Sequence, residues 1–275
     1  MISVRNLVFE VQSSPDKIVR ILDGISLDIH EGEAITIMGP NGSGKSTFVR
    51  CLNALLEPTT GEILVDNLST TQADNHVTIK TRIGMVFQNP ENQIVSTSVE
   101  REIAFGLENI GMPRKQMQEV VNKMLSKFRL DQYRYHPPHL LSGGEKQRLA
   151  IAAIMAMKPK YLILDEPTSF LDSIGKQDVL TMLKRIHHEN REHAKSERIT
   201  TILITQYPEE ALGRERLLIM KKGKIIADAR PESIFRRIQM LKEIGLDVPV
   251  EFEFENEIRE KFKLDSIALM AQYDV

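Results

Sequence analysis

Short apolar runs and segments with helical spacing alternate along this chain. Ile25, Leu27 and Ile29 alternate with polar residues, which predicts a half-buried strand. The continuous apolar runs at 161–165 and 200–205 predict fully buried strands. Because helical segments separate such runs, the sequence predicts an α/β core with a mostly parallel sheet.

Strand patterns dominate the N-terminal part of the chain and predict an antiparallel β subdomain there. They fill residues 1–38 and return at 62–66 and 83–88. Between these strands, a helix is predicted from about Lys45 to Leu56. This helix directly follows a Gly-rich stretch that the strand at 34–38 enters.

The middle of the chain has only helical patterns. Residues 95–141 therefore predict an inserted helical subdomain. Thr97 and Glu100 have the spacing of a capping box for a first helix, which Gly111 is placed to end. Pro113 then opens a second helix, at the first-turn position that proline tolerates.

Past residue 216 the pattern changes once more. Residues 217–229 predict a hairpin that turns at Lys222–Gly223. Beyond this hairpin the pattern is helical, so the sequence divides into a main domain, residues 1–230, and a C-terminal extension, residues 231–275. Residues 250–263 mix strand-like alternation with helical charge spacing, which leaves their structure open.

Composition excludes several classes of protein. The chain has 275 residues and 31.3 kDa, and its 36 basic and 38 acidic residues give a pI near 6.4, which does not favour a nucleic-acid binder. Its one cysteine, Cys51, suits a reducing compartment. No apolar run approaches the ~20 residues that span a bilayer, and the N-terminus lacks the pattern of a signal peptide. We expect a soluble, cytoplasmic protein whose membrane partners, if any, are other chains.

The stretch "GPNGSGKS" follows a predicted strand, precedes a predicted helix and fits the phosphate-binding pattern G-x-x-x-x-G-K-S. Its glycines let backbone N–H groups converge on phosphate oxygens. Lys45 is expected to reach the β- and γ-phosphates, and the hydroxyl of Ser46 to bind Mg²⁺. A Gly-rich turn without a ligand is the alternative, which the strand, lysine and serine together disfavour. The predicted phosphate-binding residues are Gly39, Pro40, Asn41, Gly42, Ser43, Gly44, Lys45, Ser46 and Thr47.

Two carboxylates follow the apolar run in "YLILDEPTS". Asp165 ends the predicted strand, where it can reach Mg²⁺ through water. Glu166 is the candidate to orient and polarise an attacking water. Adjacent carboxylates at a strand end are unfavourable unless a cation is near. Beside a phosphate loop, a catalytic pair is therefore favoured over a strand that simply ends in acidic residues.

A second Gly-rich stretch, "LSGGEKQR", opens a predicted helix. Ser142 and Glu145 have capping-box spacing, so a well-capped helix is one interpretation. Capping does not account for Gly143 and Gly144, because each glycine in a helix interior costs about 0.8–1.0 kcal/mol. Bare backbone at a helix N-terminus suits the close approach of an anion. The stretch is thus a candidate for a second phosphate site.

The order of these motifs resembles that of the ATP-binding-cassette (ABC) ATPases, the motor subunits of ABC transporters, over about residues 2–230. The order is the phosphate loop, then Gln88 at a strand end, then "LSGG", then "LILDEPTS". In that family two domains face each other head to tail, and each ATP lies between the phosphate loop of one domain and the LSGG helix of the other. The resemblance implies that Ser142 and Gly144, with Gly143 between them, hold the γ-phosphate of a partner's ATP.

The resemblance assigns further roles to residues of this sequence that match functional positions of the family. Gln88 corresponds to the glutamine that contacts Mg²⁺ and water in the family. Ser169, Leu171 and Asp172 correspond to the loop that passes between the two ATP sites, and Asp172 can also cap a helix. The resemblance thus implies ATP and Mg²⁺ as cofactors. The implied ligands of Mg²⁺ are Ser46, Gln88 and Asp165.

At two positions the sequence departs from the family. Gln206 stands where the family usually has a histidine that contacts the γ-phosphate. With Glu166 and Gln88, it completes the implied catalytic set. A neutral amide can donate a hydrogen bond but cannot carry charge, so we expect slow hydrolysis at this site and a heterodimer whose partner turns over faster. The second departure is at Val11, where the family often has a tyrosine that stacks on adenine; Phe9 lies two residues earlier.

Three phrases, "FQNPENQ", "EIAFGLEN" and "EIGLDVP", resemble the ATPases of energy-coupling factor transporters. In that group two ATPases, alike or different, drive a common transmembrane protein, and a small membrane-embedded subunit binds a vitamin or a transition-metal ion. The resemblance implies the same partners here and a peripheral location on the cytoplasmic face of the membrane. The C-terminal extension is then a dimerisation element.

Two other functions stay open at this stage. Some ABC ATPases act on DNA or ribosomes, but those typically carry two cassettes or a long coiled coil, which this sequence lacks. A regulatory subunit that binds ATP and scarcely hydrolyses it is the other alternative, which Gln206 favours.

Overall fold

A computed structural model describes residues 1–15, 17–194 and 197–262 of the chain. Its larger sheet has the strand order β10-β9-β3-β8-β7-β6. All pairs of neighbouring strands in it are parallel except β9 and β10, which confirms the predicted mostly parallel core. The strands are β3 (Ala34–Met38), β6 (Ile83–Val86), β7 (Tyr161–Asp165), β8 (Thr200–Ile204), β9 (Arg216–Lys221) and β10 (Lys224–Ala229).

The central strands of this sheet are buried along their whole length. Every residue of β3, β7 and β8 is buried, as expected for parallel strands covered on both faces. The hairpin of β9 and β10 turns at Lys222 and Gly223, which have φ angles of 47° and 77°. Both residues thus adopt the left-handed conformation that tight hairpin turns require, at the predicted position.

The smaller sheet is antiparallel and has the order β2-β1-β4-β5, which confirms the N-terminal β subdomain. Its inner face packs on the larger sheet and on the first helix, in a core that includes Leu22, Phe48 and Ile163. The strands are β1 (Ile2–Ser14), β2 (Lys17–Ile29), β4 (Thr60–Val65) and β5 (Leu68–Ser69).

Helices cover the remaining faces of the described chain. They are α1 (Lys45–Leu52), α2 (His76–Arg82), α3 (Val99–Asn109), α4 (Arg114–Lys127), α5 (Gly143–Ala156), α6 (Ser173–Glu192), α7 (Pro231–Phe235), α8 (Ile238–Glu243) and α9 (Val250–Phe262). A second core joins α3–α6 to the other face of the sheet around Leu162 and Leu203. A third joins α7 and α8 to β9 around Leu217 and Phe235, so the C-terminal helices are docked on the main domain.

The first helix ends four residues earlier than predicted, at Leu52 instead of Leu56. Ala54 has a φ of 50°, in the left-handed region that ends helices. The N–H groups of Leu55 and Leu56 both donate to the carbonyl of Arg50, which closes the helix with a tight turn.

The predicted capping residue Thr97 is wrong, because Ser98 caps α3. Its side chain accepts a hydrogen bond from the N–H of Arg101. The buried carboxylate of Glu102 accepts from the N–H groups of residues 95 and 96 and holds the preceding loop, so extended backbone continues to Ser98. Glu100, the other half of the predicted box, pairs with Arg134 at 3.3 Å instead.

The structure also settles the open segment at the C-terminus. Residues 250–262 form α9, so the helical charge spacing prevails over the strand-like alternation. Residues 263–275 of the predicted extension lie outside the described residues.

Candidate nucleotide-binding and hydrolysis site

The Gly-rich loop joins β3 to α1, as the motif predicts. Gly42 and Gly44 have φ angles of 75° and 102°. At Gly39 an added Cβ would lie 2.2 Å from the carbonyl oxygen of Met220, so only glycine fits there. The start of the loop is therefore in close contact with β9, and the loop leads into the N-terminus of α1, where backbone N–H groups can face an anion.

Lys45 folds back over this loop. Its Nζ donates to the carbonyl oxygens of Gly39 at 2.8 Å and Pro40 at 3.3 Å, and the side chain is only 5% exposed. Burial lowers the pKa of Lys45 from its ordinary value, and the carboxylates of Glu166 and Asp165 oppose that shift. The ammonium group is thus held beside the loop. From there it can exchange its contacts with the two carbonyls for a contact with a phosphate oxygen.

Ser46 and Asp165 bring the loop and the acidic strand end together. The hydroxyl of Ser46 donates to Oδ1 of Asp165 at 3.0 Å, across the gap between α1 and β7. Burial is the main cause that raises the pKa of Asp165, whose side chain is almost wholly inaccessible. A hydroxyl and a buried carboxylate without an ion-pair partner in the described residues fit a hard divalent cation.

These residues fit Mg²⁺ in particular. Mg²⁺ in phosphate sites uses one or two carboxylates plus phosphate and water, instead of a cage made only of protein ligands. The oxygen set offered by Ser46, Asp165 and Gln88 is the kind that such a shared site needs.

Glu166 lies at the centre of the site. Its carboxylate accepts hydrogen bonds from Gln88 Nε2 at 2.9 Å, Ser169 Oγ at 2.8 Å and Gln206 Nε2 at 3.0 Å. Lys45 Nζ is 3.9 Å from the same carboxylate. Donors from three separate loops therefore hold one carboxylate, in front of the phosphate loop.

The backbone of Glu166 is itself strained. Its φ is 46°, in the left-handed region that a side chain with a Cβ rarely adopts. The N–H group of Glu166 donates to the carbonyl of Ile204 at the end of β8, at 3.0 Å. Strain of this kind costs on the order of 1–3 kcal/mol and persists where the surroundings fix it, most often at functional sites.

Gln206 bridges both sides of the site. Its Nε2 lies 3.0 Å from Asn41 Oδ1 in the phosphate loop and 3.0 Å from Glu166 Oε1. The predicted residues of the phosphate loop, Gln88, Asp165, Glu166 and Gln206 thus converge. The links of Gln206 to Asn41 and of Ser169 to Glu166 were not predicted, because no local sequence signal marks them.

The second Gly-rich stretch forms the N-terminus of α5. The capping box is confirmed, since Ser142 Oγ accepts from the N–H of Glu145 and Glu145 Oε2 accepts from the N–H of Ser142. Ser142 and Gly143 are exposed. No hydrogen bond in the described residues joins them to the phosphate loop of the same chain.

Gly144 has a second reason to be glycine. An added Cβ there would lie 3.0 Å from the Cα of Gly175, in the first turn of α6. Asp172 caps that helix, because its Oδ1 accepts from the N–H of Gly175 at 2.8 Å. The LSGG helix and the first turn of α6 are therefore packed backbone against backbone, a contact that only the distant residue Gly175 could have signalled.

Of the two candidates for an adenine contact, Val11 is the more accessible. It is 39% exposed near the end of β1. Phe9 is half-buried and packs on the core beneath the smaller sheet. The role in adenine binding stays a prediction. Separately, none of the helices within residues 1–15, 17–194 and 197–262 is both long and apolar enough to cross a membrane.

Comparisons with known proteins extend this description. A model of the ABC transporter family matches residues 22–169. The energy-coupling factor transporter ATP-binding protein EcfA1 of Clostridioides difficile strain 630 is 44% identical over 256 residues, which cover 93% of this chain and 90% of that protein. EcfA1 of Bacillus subtilis strain 168 is 42% identical over 261 residues, with 94% and 89% covered.

Solved structures share the fold. The Clostridium perfringens protein cbiO1, described as part of the ABC transporter complex cbiONQ, is 31% identical with a TM-score of 0.74, and the match covers 93% of this chain and 98% of that one. The ATP-binding cassette MJ0796, solved as a dimer in a post-hydrolysis state with ADP and Pi, is 28% identical with a TM-score of 0.74. That match covers 84% of this chain and 99% of the other.

A phosphate loop after the buried strand β3, facing adjacent Asp and Glu residues at the end of β7 in the same sheet, defines a P-loop ATPase. The chain belongs to the ABC transporter family and, within it, to the ATP-binding subunits of energy-coupling factor transporters. It is an ATP-hydrolysing, transport-coupled subunit.

Proposed function

We propose that this protein powers uptake of a vitamin or a transition-metal ion through separate membrane subunits. The observation that carries the proposal is a division of the phosphate chemistry between two surfaces. One surface holds the phosphate loop with Glu166, and the other presents Ser142 and Gly143 to solvent, with no hydrogen bond to that phosphate loop in the described residues. Together with the likeness to energy-coupling factor ATPases, this division favours a head-to-tail pair of subunits.

In such a pair, ATP binds between the phosphate loop of one subunit and the LSGG helix of the other. Lys45 leaves the carbonyls of Gly39 and Pro40 and pairs with the β- and γ-phosphates. The hydroxyl of Ser142 and the N–H groups of Gly143 and Gly144 donate to the partner's γ-phosphate at the start of α5, where the helix dipole favours an anion. ATP thus joins the subunits, and its hydrolysis lets them separate.

Ser46, Gln88 and Asp165 are the residues that would hold Mg²⁺, which when bound neutralises charge on the β- and γ-phosphates. As the oxygen of the attacking water bonds to the γ-phosphorus, Glu166 accepts a proton from that water and ADP is the leaving group. Ser169 and Gln206 hold the carboxylate that performs this step. Asp172 is counted among the ATP-binding residues because it anchors the loop that passes between the two ATP sites in such a pair.

The proposal includes an asymmetric pair. Gln206 donates to Glu166 and to Asn41, so it can orient groups and donate to a phosphate oxygen. It cannot take up a proton or supply positive charge as a histidine does. We infer that the site on this chain's phosphate loop binds ATP well and hydrolyses it slowly, and that a partner with histidine performs most of the turnover. A largely regulatory ATP-binding subunit is the limiting case of this arrangement.

Partners and location follow from the same proposal. They are a second ATPase subunit, a transmembrane coupling subunit and a small membrane-embedded subunit that binds the transported substrate; nucleic acid is not among them. The protein lies on the cytoplasmic face of the membrane. The C-terminal extension, residues 231–275, supports contact between the ATPase subunits.

Trans-complementation tests the shared site. Ser142→Arg removes the LSGG contribution and Glu166→Gln removes the water-activating carboxylate, so each pure variant is expected to hydrolyse little ATP. A mixed dimer contains one intact site, formed by the phosphate loop of the first variant and the LSGG helix of the second. We expect mixing to restore ATP hydrolysis toward the slow rate of the parent homodimer, measured as phosphate release. No recovery, in mixtures shown to form dimers, would contradict the head-to-tail arrangement.

A membrane pull-down tests the transport assignment. The chain, isolated from membranes, is expected to bring with it a second ATPase and two integral membrane proteins. Recovery with ribosomes or DNA in their place would favour the alternative function.

A further inference from the structure

Glu210 is a buried carboxylate behind the site that the hydrolysis mechanism has not used. The residue is 9% exposed and lies in the loop after β8. Its Oε2 accepts from the hydroxyl of Thr205 at 2.7 Å, and its Oε1 accepts from the hydroxyl of Thr168 at 2.9 Å. Both threonines are themselves almost wholly buried.

The two threonines are close in sequence to Gln206 and Glu166, respectively. Thr205 immediately precedes Gln206, and its Oγ1 also accepts from the N–H of Tyr207 at 3.1 Å. Thr168 lies two residues after Glu166. Since Gln206 donates to Glu166, the contacts form a closed ring that runs from Glu166 through Thr168, Glu210 and Thr205 to Gln206 and back.

A third element joins this ring. Nζ of Lys176, in the first turns of α6, lies 3.8 Å from Glu210 Oε1 and over the ring of Tyr207. The same helix is capped by Asp172 and packs on Gly144 of the LSGG helix through Gly175. Glu210 thus contacts the loop that carries Glu166, the loop that carries Gln206 and the helix beside the LSGG surface.

The charges around Glu210 are incompletely matched. Burial raises the pKa of this carboxyl, and the opposing groups are the two threonine hydroxyls, Lys176 and Arg214. Nζ of Lys176 is at the outer distance limit of an ion pair with Glu210. Apolar residues of similar volume can often replace buried ion pairs without loss of stability. Both oxygens of this buried carboxylate are aimed at loops of the site, which points to a role in the geometry of those loops.

We propose that Glu210 is a positioning residue for ATP hydrolysis. It fixes the loop after β7 and the loop after β8 relative to each other, and so keeps the amide of Gln206 on the carboxylate of Glu166. Through Lys176 it also ties this geometry to the start of α6, so movement at the LSGG surface reaches the water-activating carboxylate. The inference rests on the roles of Glu166 and Gln206 proposed above.

A double-mutant cycle in the full-length chain tests the inference. Glu210→Gln keeps the volume and removes the acceptor for one threonine, and we expect the single-turnover rate of ATP hydrolysis to fall roughly 10- to 100-fold through misplacement of the reacting groups. The Kd of a non-hydrolysable ATP analogue is expected to stay within about threefold, because Glu210 does not contact the phosphate loop. The exposed neighbour serves as the matched control, since Glu209→Gln is expected to leave both quantities unchanged.

The decisive comparison uses Gln206→Ala as the second background. If Glu210 acts through Gln206, Glu210→Gln causes a much smaller further loss in that background than in the parent. An equal fold-loss in both backgrounds would show an effect independent of Gln206 and overturn the proposal. Thr205→Val and Thr168→Val repeat the test without a change of charge, so the proposal stays testable if Glu210→Gln does not fold.

The failure of this inference can be told from failure of the proposed mechanism. Glu166→Gln, assayed in parallel, tests the water-activating role alone. If Glu166→Gln abolishes hydrolysis while the cycle is additive, only the role of Glu210 is wrong. If Glu166→Gln hydrolyses at the parent rate, the underlying mechanism is wrong as well.

Discussion

The side-chain amide of Gln206 lies 3.0 Å from the carboxylate of Glu166 and donates a hydrogen bond to it. The carboxylate proposed to activate water is therefore held by a neutral amide, at the position where the family resemblance implies a histidine. The contact can orient Glu166 but supplies no positive charge.

Gln206→His is expected to raise ATP turnover by the pure chain. Histidine can supply positive charge to the γ-phosphate as charge develops in the transition state. The gain should be smaller than the ~10²–10³ that loss of a whole transition-state donor costs, because the glutamine already donates. The measurement is steady-state phosphate release with and without the partner ATPase. Brisk hydrolysis by the parent homodimer, with no gain in the variant, would show that glutamine is a competent substitute.

Glu166→Gln is expected to lower hydrolysis by about 10²–10⁴, the usual contribution of general-base catalysis, and to keep ATP bound. The glutamine can still accept through one oxygen, but it cannot take a proton from water. It also removes a negative charge beside the phosphates, so the ATP-bound dimer should persist in size-exclusion chromatography. Hydrolysis at the parent rate would refute the role assigned to Glu166.

Ser142→Arg is expected to damage the partner's site and spare this chain's own phosphate loop. The arginine side chain projects from the exposed start of α5 and blocks close approach of the partner's ATP. Nucleotide affinity at each phosphate loop can be compared with labelled ATP in reconstituted pairs. The control is Gln118→Arg, an equal change of charge on the exposed face of α4. Loss of ATP binding at the chain's own loop would contradict the assignment in trans.

Gly144→Ala is expected to destabilise the fold and Gly143→Ala to be tolerated. A Cβ at position 144 meets the backbone of Gly175 at 3.0 Å, whereas one at position 143 meets the flexible side chain of Leu171 at 3.3 Å. Overpacking of this kind typically costs about 1–3 kcal/mol, while alanine in a helix gains up to about 1 kcal/mol over glycine. Thermal unfolding of the two variants gives the comparison. Equal melting temperatures would show that the contact with Gly175 relaxes freely.

Asp165→Asn is expected to raise the Mg²⁺ concentration for half-maximal hydrolysis by roughly 10- to 100-fold, as loss of an outer ligand partner does. The carboxamide keeps the shape and the acceptor for Ser46 but lacks the charge. Titration of phosphate release with MgCl₂ measures the shift. Asp131→Asn, at an exposed position, serves as the control, and an unchanged Mg²⁺ requirement would remove Asp165 from the metal site.

Local motifs predicted most of the site because their chemistry is contiguous in sequence. The phosphate loop, the acidic strand end and the hairpin at Lys222–Gly223 each depend on neighbouring residues and lie where predicted. Thr97 failed as a cap because Glu102, one turn into the helix, holds the preceding loop. The capping-box spacing was therefore a weaker determinant of the helix start than the contact of Glu102 with the preceding loop, which forms only in the folded chain.

Longer-range contacts were beyond sequence reasoning. Gly144 meets Gly175 from a different helix, and the sequence offered anion approach as the only reason for the glycine. Glu210 and its two threonines carry no motif, since each is an ordinary residue until the sheet brings the ends of β7 and β8 side by side. Such second-layer contacts depend on the whole topology.

The exposed start of α5 has a genetic consequence. If Ser142 and Gly143 serve the ATP of another subunit, a lesion there inactivates a protein whose own gene is intact. A strain with such a lesion would regain partner-site turnover when given this gene in its parental form, but not when given extra copies of the partner's gene. The residues that keep this helix functional are then under selection for chemistry carried out on another chain's phosphate loop.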